Sequence, residues 1–259
     1  MYERAAKPET DLKPVWHLDP GRALFAGPLT YNAPHLHSVP VYLAGLDGPF
    51  RIKVGIAPWT FCRTAVVPAG QTYAFDVAGA PLAVLYLEPH EAGMASLVSL
   101  VRGTREVEGA LLGKGGELSV LKEIYETRDS PAWAREALDA LMTFVARSPS
   151  RPSDPRIVRT ARALAARPDA ATSAEDAARA VGLSSSRFQH LFAAEIGVPF
   201  RKYRSWQRLR AAIGEIVAGS TFTAAAYAAG FSDQAHFART FRNTFGAPAS
   251  PSLHRVRKV

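Results

Sequence analysis

The C-terminal part of the chain has apolar residues at helical spacing. The stretch AAYAAGFSDQAHFARTFRNTFG, residues 225–246, carries Phe237, Phe241 and Phe245 at steps of four, with polar residues between them. Side chains four residues apart lie on one face of an α-helix, so the pattern predicts a helix with one apolar face. An apolar stripe of this kind is usually core, and it leaves open whether the polar face is only solvated or binds a partner.

A second copy of this pattern lies about 49 residues earlier in the chain. FAAEIGVP at 192–199 matches FRNTFGAP at 241–248, and AARAVGLS at 177–184 matches AYAAGFS at 226–232. Each copy predicts a short Ala-rich helix, a glycine and a second helix with aromatic anchors. The glycine supplies the left-handed turn conformation that other residues adopt with difficulty. The repeat therefore predicts two helix-turn-helix units.

The second helix of each unit has a face that points away from its phenylalanines. At 100° per residue this face groups small and polar side chains in both copies. Gln can bond adenine, Arg can bond guanine, and Ala can contact a thymine methyl in a major groove. A solvated surface of arbitrary polarity is the alternative, and two matched faces favour DNA. The faces comprise Ser186, Gln189, His190 and Ala193 in the first copy and Ala235, Ala238, Arg239 and Arg242 in the second.

A basic segment joins the two units. Residues 201–218 predict a helix of about 27 Å, at ~1.5 Å per residue. A spacer of this size can hold two recognition helices about one DNA turn, roughly 34 Å, apart. Cations and hydroxyls near helix starts are natural phosphate partners, although a solvated charge is the alternative for each one. The predicted phosphate contacts are Ser185, Arg187, Arg201, Lys202, Arg204 and Arg242.

Charge is distributed unevenly along the chain. The net charge is +8; residues 154–259 carry 16 Lys+Arg against 7 Asp+Glu, a net +9, whereas residues 1–153 carry 15 against 16. This asymmetry suggests that the C-terminal part meets a polyanion, with a merely basic domain as the alternative. Charges throughout the first 19 residues and the absence of a long apolar run predict no signal peptide and no membrane association, hence a cytoplasmic protein.

The N-terminal half of the chain has a different pattern, which predicts mainly β-strands followed by helices. Residues 15–88 predict several short strands in a small barrel or sandwich, with a hairpin at Asp47-Gly48. Residues 91–127 predict mostly helix. The segment 131–147 predicts an amphipathic helix whose Leu/Met stripe either forms a dimer surface or packs on its own barrel.

The chain divides at a stretch rich in Pro and Ser. We expect an N-terminal domain at 1–147, a linker at 148–153 and a helical domain at 154–259. Thr172 and Glu175 predict a capping box at the start of the first helix-turn-helix unit.

At the repeated residues the sequence resembles the AraC/XylS family of bacterial transcription regulators. The matching text is AARAVGLSSSRFQHLFAAEIGVPFRKY and AAYAAGFSDQAHFARTFRNTFG, within roughly residues 155–255. The resemblance implies a DNA-binding domain of seven helices whose two recognition helices enter successive major grooves. RNA polymerase is an implied partner, and activation is favoured over repression. Carried over by position, the base-reading residues are Ser186, Gln189, His190, Gln234, Ala235, Ala238 and Arg239.

The resemblance also implies a cupin-like N-terminal barrel that binds a small effector and helps to form a homodimer. His35 and His37 would lie on one face of a strand, as in cupin metal sites, but no Glu follows them and Tyr73 stands where a further His would be needed. We therefore expect no metal and no cofactor. A pocket lined by His35, His37 and Tyr73 is the working interpretation, and strand residues without a ligand are the alternative. The lone Cys62 excludes an internal disulfide and predicts an inert, buried thiol.

Two functions remain at this point. The first is a sequence-specific DNA-binding regulator that is not an enzyme. The alternative is a metal-dependent cupin enzyme with an accessory basic helical domain. Bound metal would distinguish the second from the first.

Overall fold

The computed structural model of the protein describes most of the chain, namely residues 12–89, 94–127, 131–145, 153–253 and 257–258. The predicted linker at 148–153 lies outside the described residues except for Ser153. A β-rich N-terminal part and a helical C-terminal part follow one another along the chain, as the sequence predicted.

The N-terminal part is built from two β-sheets. The larger has eight strands in the order β10-β11-β7-β4-β9-β2-β1-β12, and the smaller has four in the order β3-β8-β5-β6. The strands are β1 Val15–Asp19, β2 Arg22–Pro28, β3 Tyr31–His35, β4 Val41–Gly45, β5 Phe50–Val54, β6 Thr60–Cys62, β7 Thr64–Val67, β8 Tyr73–Asp76, β9 Pro81–Leu87, β10 Val101–Val107, β11 Ala110–Gly116 and β12 Arg257–Lys258.

Strand β4 shows how the two faces of the larger sheet are used. Successive side chains of a strand point to opposite faces. Val41 and Leu43 belong to a core shared with the smaller sheet, whereas Tyr42 and Ala44 belong to a second core covered by helices. All four are fully buried. The larger sheet is therefore the middle layer, with the smaller sheet on one face and helices on the other.

The turn at Asp47-Gly48 is not a hairpin. Strand β4 pairs with β7 and β9, whereas β5 pairs with β6 and β8 in the other sheet. The turn carries the chain from one sheet to the next and is tight, since a Cβ on Gly45 would lie 2.2 Å from the Gly48 carbonyl oxygen. An Asp-Gly sequence predicts that the chain turns, but it does not predict which strands pair on either side of the turn. The predicted hairpin is wrong for this reason.

The prediction that residues 91–127 are mostly helical is wrong for β10 and β11, which form a hairpin. Glu108 and Gly109 both have positive φ, 49° and 78°, between the paired residues Val107 and Ala110. Two such residues define the tight turn that suits strand twist. Strand β10 is almost entirely exposed, so its sequence lacks the alternating apolar pattern that would predict a strand. Gly113 lets β11 approach the sheet closely, because a Cβ there would lie 2.3 Å from Val101 Cγ1.

Three helices accompany the sheets, namely α1 Met94–Val98, α2 Ser119–Glu126 and α3 Pro131–Val145. Helix α3 covers the larger sheet with its apolar stripe. Leu138 and Leu141 are buried in the same core as Tyr42, and Met142 packs against it. The stripe that was one candidate for a dimer surface is thus used within the domain, as the other interpretation expected.

Seven helices lie between residues 153 and 253, the number that the resemblance implied. The first begins at Asp154, whose side chain accepts a hydrogen bond from the Arg156 N–H. The predicted capping box is displaced by one residue, to Ser173 and Asp176. The helices are α4 Pro155–Ala166, α5 Ala174–Ala180, α6 Ser185–Ile196, α7 Phe200–Val217, α8 Phe222–Ala228, α9 Gln234–Phe245 and α10 Ala249–Leu253.

The helical part and the sheets pack around one aromatic core. The Tyr86 and Trp206 rings are 5.3 Å apart, and the Trp16 and Phe245 rings are 6.1 Å apart. The Trp16 indole N–H donates to the Ser252 carbonyl at 3.1 Å. Short strand β12 runs parallel to β1, which ties the end of the described chain to its beginning. Burial of large aromatic surface of this kind stabilises a fixed arrangement of the two parts.

Candidate functional site

The first helix-turn-helix unit consists of α5, a turn at Gly182 and α6. Gly182 has a φ of +68° and ends α5. Ser184 begins α6, where its hydroxyl accepts a hydrogen bond from the Arg187 N–H. Phe188 and Phe192 are fully buried and anchor α6 to the domain. The local sequence thus sets both the turn and the inward face.

The outward face of α6 carries the predicted DNA readers. Ser186, Gln189 and His190 are all exposed, and so is Arg187. The Gln189 amide donates to the Ser185 hydroxyl at 3.2 Å, which holds it one turn from the helix start. The arrangement presents hydrogen-bonding groups to solvent near the N-terminal end of the helix, the end that contacts bases in this motif.

The second unit repeats this construction with α8, a turn at Gly230 and α9. Gly230 has a φ of +78°. Asp233 begins α9 and accepts the His236 N–H at 2.6 Å, a bond that lowers the pKa of this carboxyl. Phe237 and Phe241 are 0% and 1% exposed, so the aromatic residues that first marked this helix are core.

The outward face of α9 is more strongly charged than that of α6. The predicted readers Ala235, Ala238 and Arg239 are exposed, and so is the predicted phosphate contact Arg242. Exposed Gln234 lies at the first position of the helix, and its side-chain oxygen accepts a hydrogen bond from Thr223 of α8 at 2.8 Å. Both faces are therefore accessible, and each presents the residue types that hydrogen-bond base edges.

Helix α7 is the rigid connection between the units. It has 18 residues, which corresponds to a length of about 27 Å. The predicted phosphate contacts Arg201 and Lys202 are exposed at its start. Arg204 differs from them, because its guanidinium is half-buried and donates to the Thr172 carbonyl. The neighbouring Arg208 donates to the Pro168 carbonyl, so both side chains hold the loop before α5.

The N-terminal sheets touch the C-terminal ends of both α6 and α9. Gly197 ends α6 against Ala69, where an added Cβ would lie 3.1 Å from the alanine Cβ. Gly246 ends α9 against Ala33, whose N–H donates to the Gly246 carbonyl at 2.9 Å. The Asn32 amide donates to the Phe245 carbonyl at 2.6 Å. The sheets thus hold both helices by the ends opposite to the predicted DNA readers.

A buried carboxylate forms the polar centre of the contact between the two parts. Glu88 follows β9 and is only 2% exposed. It accepts hydrogen bonds from three side chains of α7, and the Arg210 guanidinium lies 3.7 Å away. The donors are the Tyr203 hydroxyl at 2.5 Å, the Trp206 indole at 2.9 Å and the Gln207 amide at 3.0 Å. Glu88 could not be predicted from the sequence, where its only signal is an acidic residue directly after a wholly apolar strand.

A cavity of about 250 Å³ lies between the sheets and the end of α9. The structure brings the predicted residues His35, His37 and Tyr73 together in its wall. The His35 ring is 5.0 Å from the His37 ring and 4.4 Å from the Tyr73 ring. His35 ends β3, whereas His37 lies beyond the strand, so the expected placement of both on one strand is wrong. The cavity is a domain-interface site rather than the interior of one barrel.

Burial favours the uncharged forms of the three titratable side chains His35, His37 and Tyr73. Burial lowers the pKa of His35 to about 4 and lowers that of His37 well below its usual value. Burial likewise raises the pKa of Tyr73. His35 Nδ1 lies 2.7 Å from the Ala33 carbonyl oxygen and donates to it. By contrast, neither the Tyr73 hydroxyl nor His37 Nδ1 has a hydrogen-bond partner within the described structure.

Three other kinds of site were considered among the described residues: a metal site, a reactive thiol and a membrane-spanning helix. Among the described residues no three His, Cys, Asp or Glu side chains lie close enough together to hold a metal ion. Cys62 is buried, and burial raises the pKa of its thiol to about 12, which makes it the inert thiol that was predicted. No helix within the described ranges is both long and apolar enough to cross a membrane.

Comparisons with known proteins agree with this geometry. A helix-turn-helix domain model matches residues 177–254. No curated protein matches the sequence. A structure of a ToxT variant without ligand from Vibrio cholerae covers 90% of this chain and 97% of its own, with a TM-score of 0.61 at 13% identity. The structure of ToxT with a bound unsaturated fatty acid covers 92% and 96%, with a TM-score of 0.60 at 14% identity.

A transcriptional regulator with an AraC-type DNA-binding domain from Chromobacterium violaceum is 28% identical over 34% of this chain and 80% of its own, with a TM-score of 0.33. The ToxT structures share the succession of β-sheets and helices over nearly the whole chain, which shows the fold. The chain therefore carries a helix-turn-helix domain at residues 177–254 and, over nearly its whole length, the same succession of sheets and helices as the ToxT structures.

Proposed function

We propose that the protein is a sequence-specific transcription regulator that reads two successive major grooves of double-stranded DNA. The observation that carries this proposal is the pair of exposed polar faces on α6 and α9, at matched positions of a repeat and joined by α7. Each face presents groups that can distinguish bases, and α7 has about the length needed to reach from one groove to the next.

Charge and exposure support roles for individual residues. We assign base reading to the exposed faces and phosphate contact to the cations beside them, since phosphate contacts set register and affinity without reading sequence. Arg239 lies one turn before Arg242, nearer the helix start, so we assign Arg239 to a base and Arg242 to a phosphate. Arg204 is the weakest of the proposed phosphate contacts, because its guanidinium already donates a hydrogen bond to the Thr172 carbonyl.

The N-terminal part of this proposal is control by a small molecule. The interdomain cavity adjoins the end of α9 through Phe241 and Phe245, so a ligand there would contact the recognition helix and the sheets at once. A ToxT structure contains a bound unsaturated fatty acid, which shows that a protein of this fold accepts a small molecule. We assign the sensing role to residues 1–147 and DNA binding to 154–259. Activation, a homodimer and contact with RNA polymerase follow from the resemblance and complete the proposal.

Substitutions on the two helices test the assignment. Arg239→Ala and Gln189→Ala should each weaken binding to the selected site by about 1–3 kcal/mol and relax the sequence preference. Arg242→Ala is the matched control, because it removes the same charge as Arg239→Ala but should weaken binding to all sequences equally. Fluorescence anisotropy with specific and scrambled duplexes at fixed salt concentration measures both effects.

Two results would contradict the assignment. Specific binding as tight as wild type in both Arg239→Ala and Gln189→Ala would remove these side chains from base reading. An equal loss on specific and scrambled DNA for Arg239→Ala would make this residue a phosphate contact like Arg242.

A further inference from the structure

The interdomain cavity has a wall of unusual composition. Eight of its residues are Trp, Tyr or Phe, and they come from both parts of the chain. Neighbouring rings contact one another: the Trp16 and Tyr86 rings are stacked at 6.1 Å, and the Tyr86 and Phe245 rings meet edge to face at 5.9 Å. Aromatic walls favour flat, apolar molecules that can stack on them or meet their edges. Besides Tyr31 and Tyr73, they are Trp16, Phe25, Phe75, Tyr86, Phe241 and Phe245.

Two polar atoms in this wall lack a protein partner. Tyr73 and His37 are 1% and 2% exposed, yet the Tyr73 hydroxyl and His37 Nδ1 make no hydrogen bond to any described residue. Buried polar groups are nearly always paired, and leaving one unpaired costs free energy. Their rings are 5.8 Å apart, and both residues line the cavity. A ligand hydroxyl placed between them can accept from one and donate to the other.

Within the described part of the wall, no charged side chain is present to balance an ionic ligand. Of the described residues that line the cavity, none is Lys, Arg, Asp or Glu. The two histidines are held neutral by burial, as their lowered pKa values indicate. A carboxylate or phosphate placed there would lose its hydration without gaining a cation, which is strongly unfavourable.

The size of the cavity limits the ligand further. A cavity of roughly 150 Å³ suffices for benzene, so the volume of about 250 Å³ here suits one substituted ring or two fused rings.

The geometry points to an uncharged aromatic hydroxy compound of one or two rings as the ligand of the interdomain cavity, bound through its hydroxyl to Tyr73 and His37. The inference rests on the proposed small-molecule control and specifies its ligand class. It separates this chain from the fatty-acid-bound ToxT structure, because the described wall offers no cation for a carboxylate.

Calorimetric titration of the full chain, without DNA, tests the ligand class with two probes that share a ring system. 2-Naphthol should bind at least about tenfold more tightly than 2-naphthoate, which carries a negative charge. Tyr73→Phe should weaken 2-naphthol binding by about tenfold, since it removes one hydrogen bond. Tyr227→Phe is the matched control, because Tyr227 is exposed on α8 away from the cavity and its hydroxyl should not matter.

A stability measurement keeps the test independent of the probes. Tyr73→Phe should melt no lower than wild type without ligand, because the lost hydroxyl has no partner, whereas Tyr203→Phe should melt lower because it loses the bond to Glu88. The inference is overturned by equal or tighter binding of 2-naphthoate, by no binding of 2-naphthol, by unchanged 2-naphthol affinity in Tyr73→Phe, or by a clearly lower melting temperature of that variant. Naphthol binding without specific DNA binding would instead contradict the proposed DNA-binding function and leave the ligand class standing.

Discussion

Glu88→Ala should lower the free energy of unfolding by about 3–5 kcal/mol, the usual cost of removing one partner from a buried ionic cluster. The carboxylate accepts hydrogen bonds from Tyr203, Trp206 and Gln207 and lies 3.7 Å from Arg210. Its removal leaves these donors buried without an acceptor, and all of them lie on α7. We therefore expect the helical part to loosen from the sheets before either part unfolds.

Denaturant unfolding followed by tryptophan fluorescence measures this effect, because two of the four tryptophans, Trp16 and Trp206, lie in the contact between the sheets and the helical part. Glu88→Gln is the matched variant; it keeps the shape and one acceptor oxygen and should cost less than Glu88→Ala. Glu126→Ala removes an acid that is half exposed in its salt bridge with Lys122 and should change stability by under about 1 kcal/mol. A Glu88→Ala variant as stable as Glu126→Ala would show that the cluster does not hold the two parts together.

Gly246→Ala should destabilise the protein more than Gly182→Ala, although both glycines have almost the same φ, +69° and +68°. Either substitution places an L side chain in the left-handed region at a cost of about 1–2 kcal/mol. A Cβ at 182 meets nothing within 4 Å, whereas a Cβ at 246 would lie 2.3 Å from the Ala33 carbonyl oxygen and 2.6 Å from His35 Nδ1. The clash adds about 1–3 kcal/mol at 246 alone.

The difference between these two variants isolates the contact between the end of α9 and the sheets. It is measured by paired chemical denaturation curves and by limited proteolysis of the chain between the two parts. Gly246→Ala should become sensitive to protease under conditions in which Gly182→Ala resists. Equal stability losses in the two variants would mean that α9 does not press against Ala33 and His35 in solution.

The helical domain could be predicted from sequence because its determinants are local. The glycines at 182 and 230 and the phenylalanines at 188, 192, 237 and 241 lie within a few residues of the turns that they define. A repeat that carries the same pattern twice then separates core from exposed face. The error in the capping box, Ser173 for Thr172, is a shift of one residue between two hydroxyls that can both begin a helix.

The errors in the N-terminal part have a different cause. Strand β10 is solvated on nearly all its residues, so its sequence lacks the alternation that marks a strand. The Asp47-Gly48 turn predicted a reversal, but only the tertiary fold decides that β4 and β5 belong to different sheets. Both errors concern information that lies outside the segment itself.

The residues of the candidate sites also differ in how far local sequence predicts them. The exposure of the proposed DNA readers on α6 and α9 could be predicted from helix periodicity. By contrast, Glu88 is separated from its partners on α7 by 115 to 119 residues. No local sequence pattern predicts hydrogen bonds over such a separation. His35, His37 and Tyr73 could be named from the sequence, but the contribution of Phe241 and Phe245 to the same cavity wall could not, because it depends on how the two parts dock.

Selection of bound sequences from random double-stranded DNA, with the wild-type chain, Gln189→Ala and Arg239→Ala in parallel, tests the central claim most directly. We expect two clusters of preferred bases about one helical turn, roughly 10 base pairs, apart. Gln189→Ala should relax one cluster and Arg239→Ala the other. A single cluster, or the loss of preference in the same cluster for both variants, would contradict reading of two successive grooves by α6 and α9.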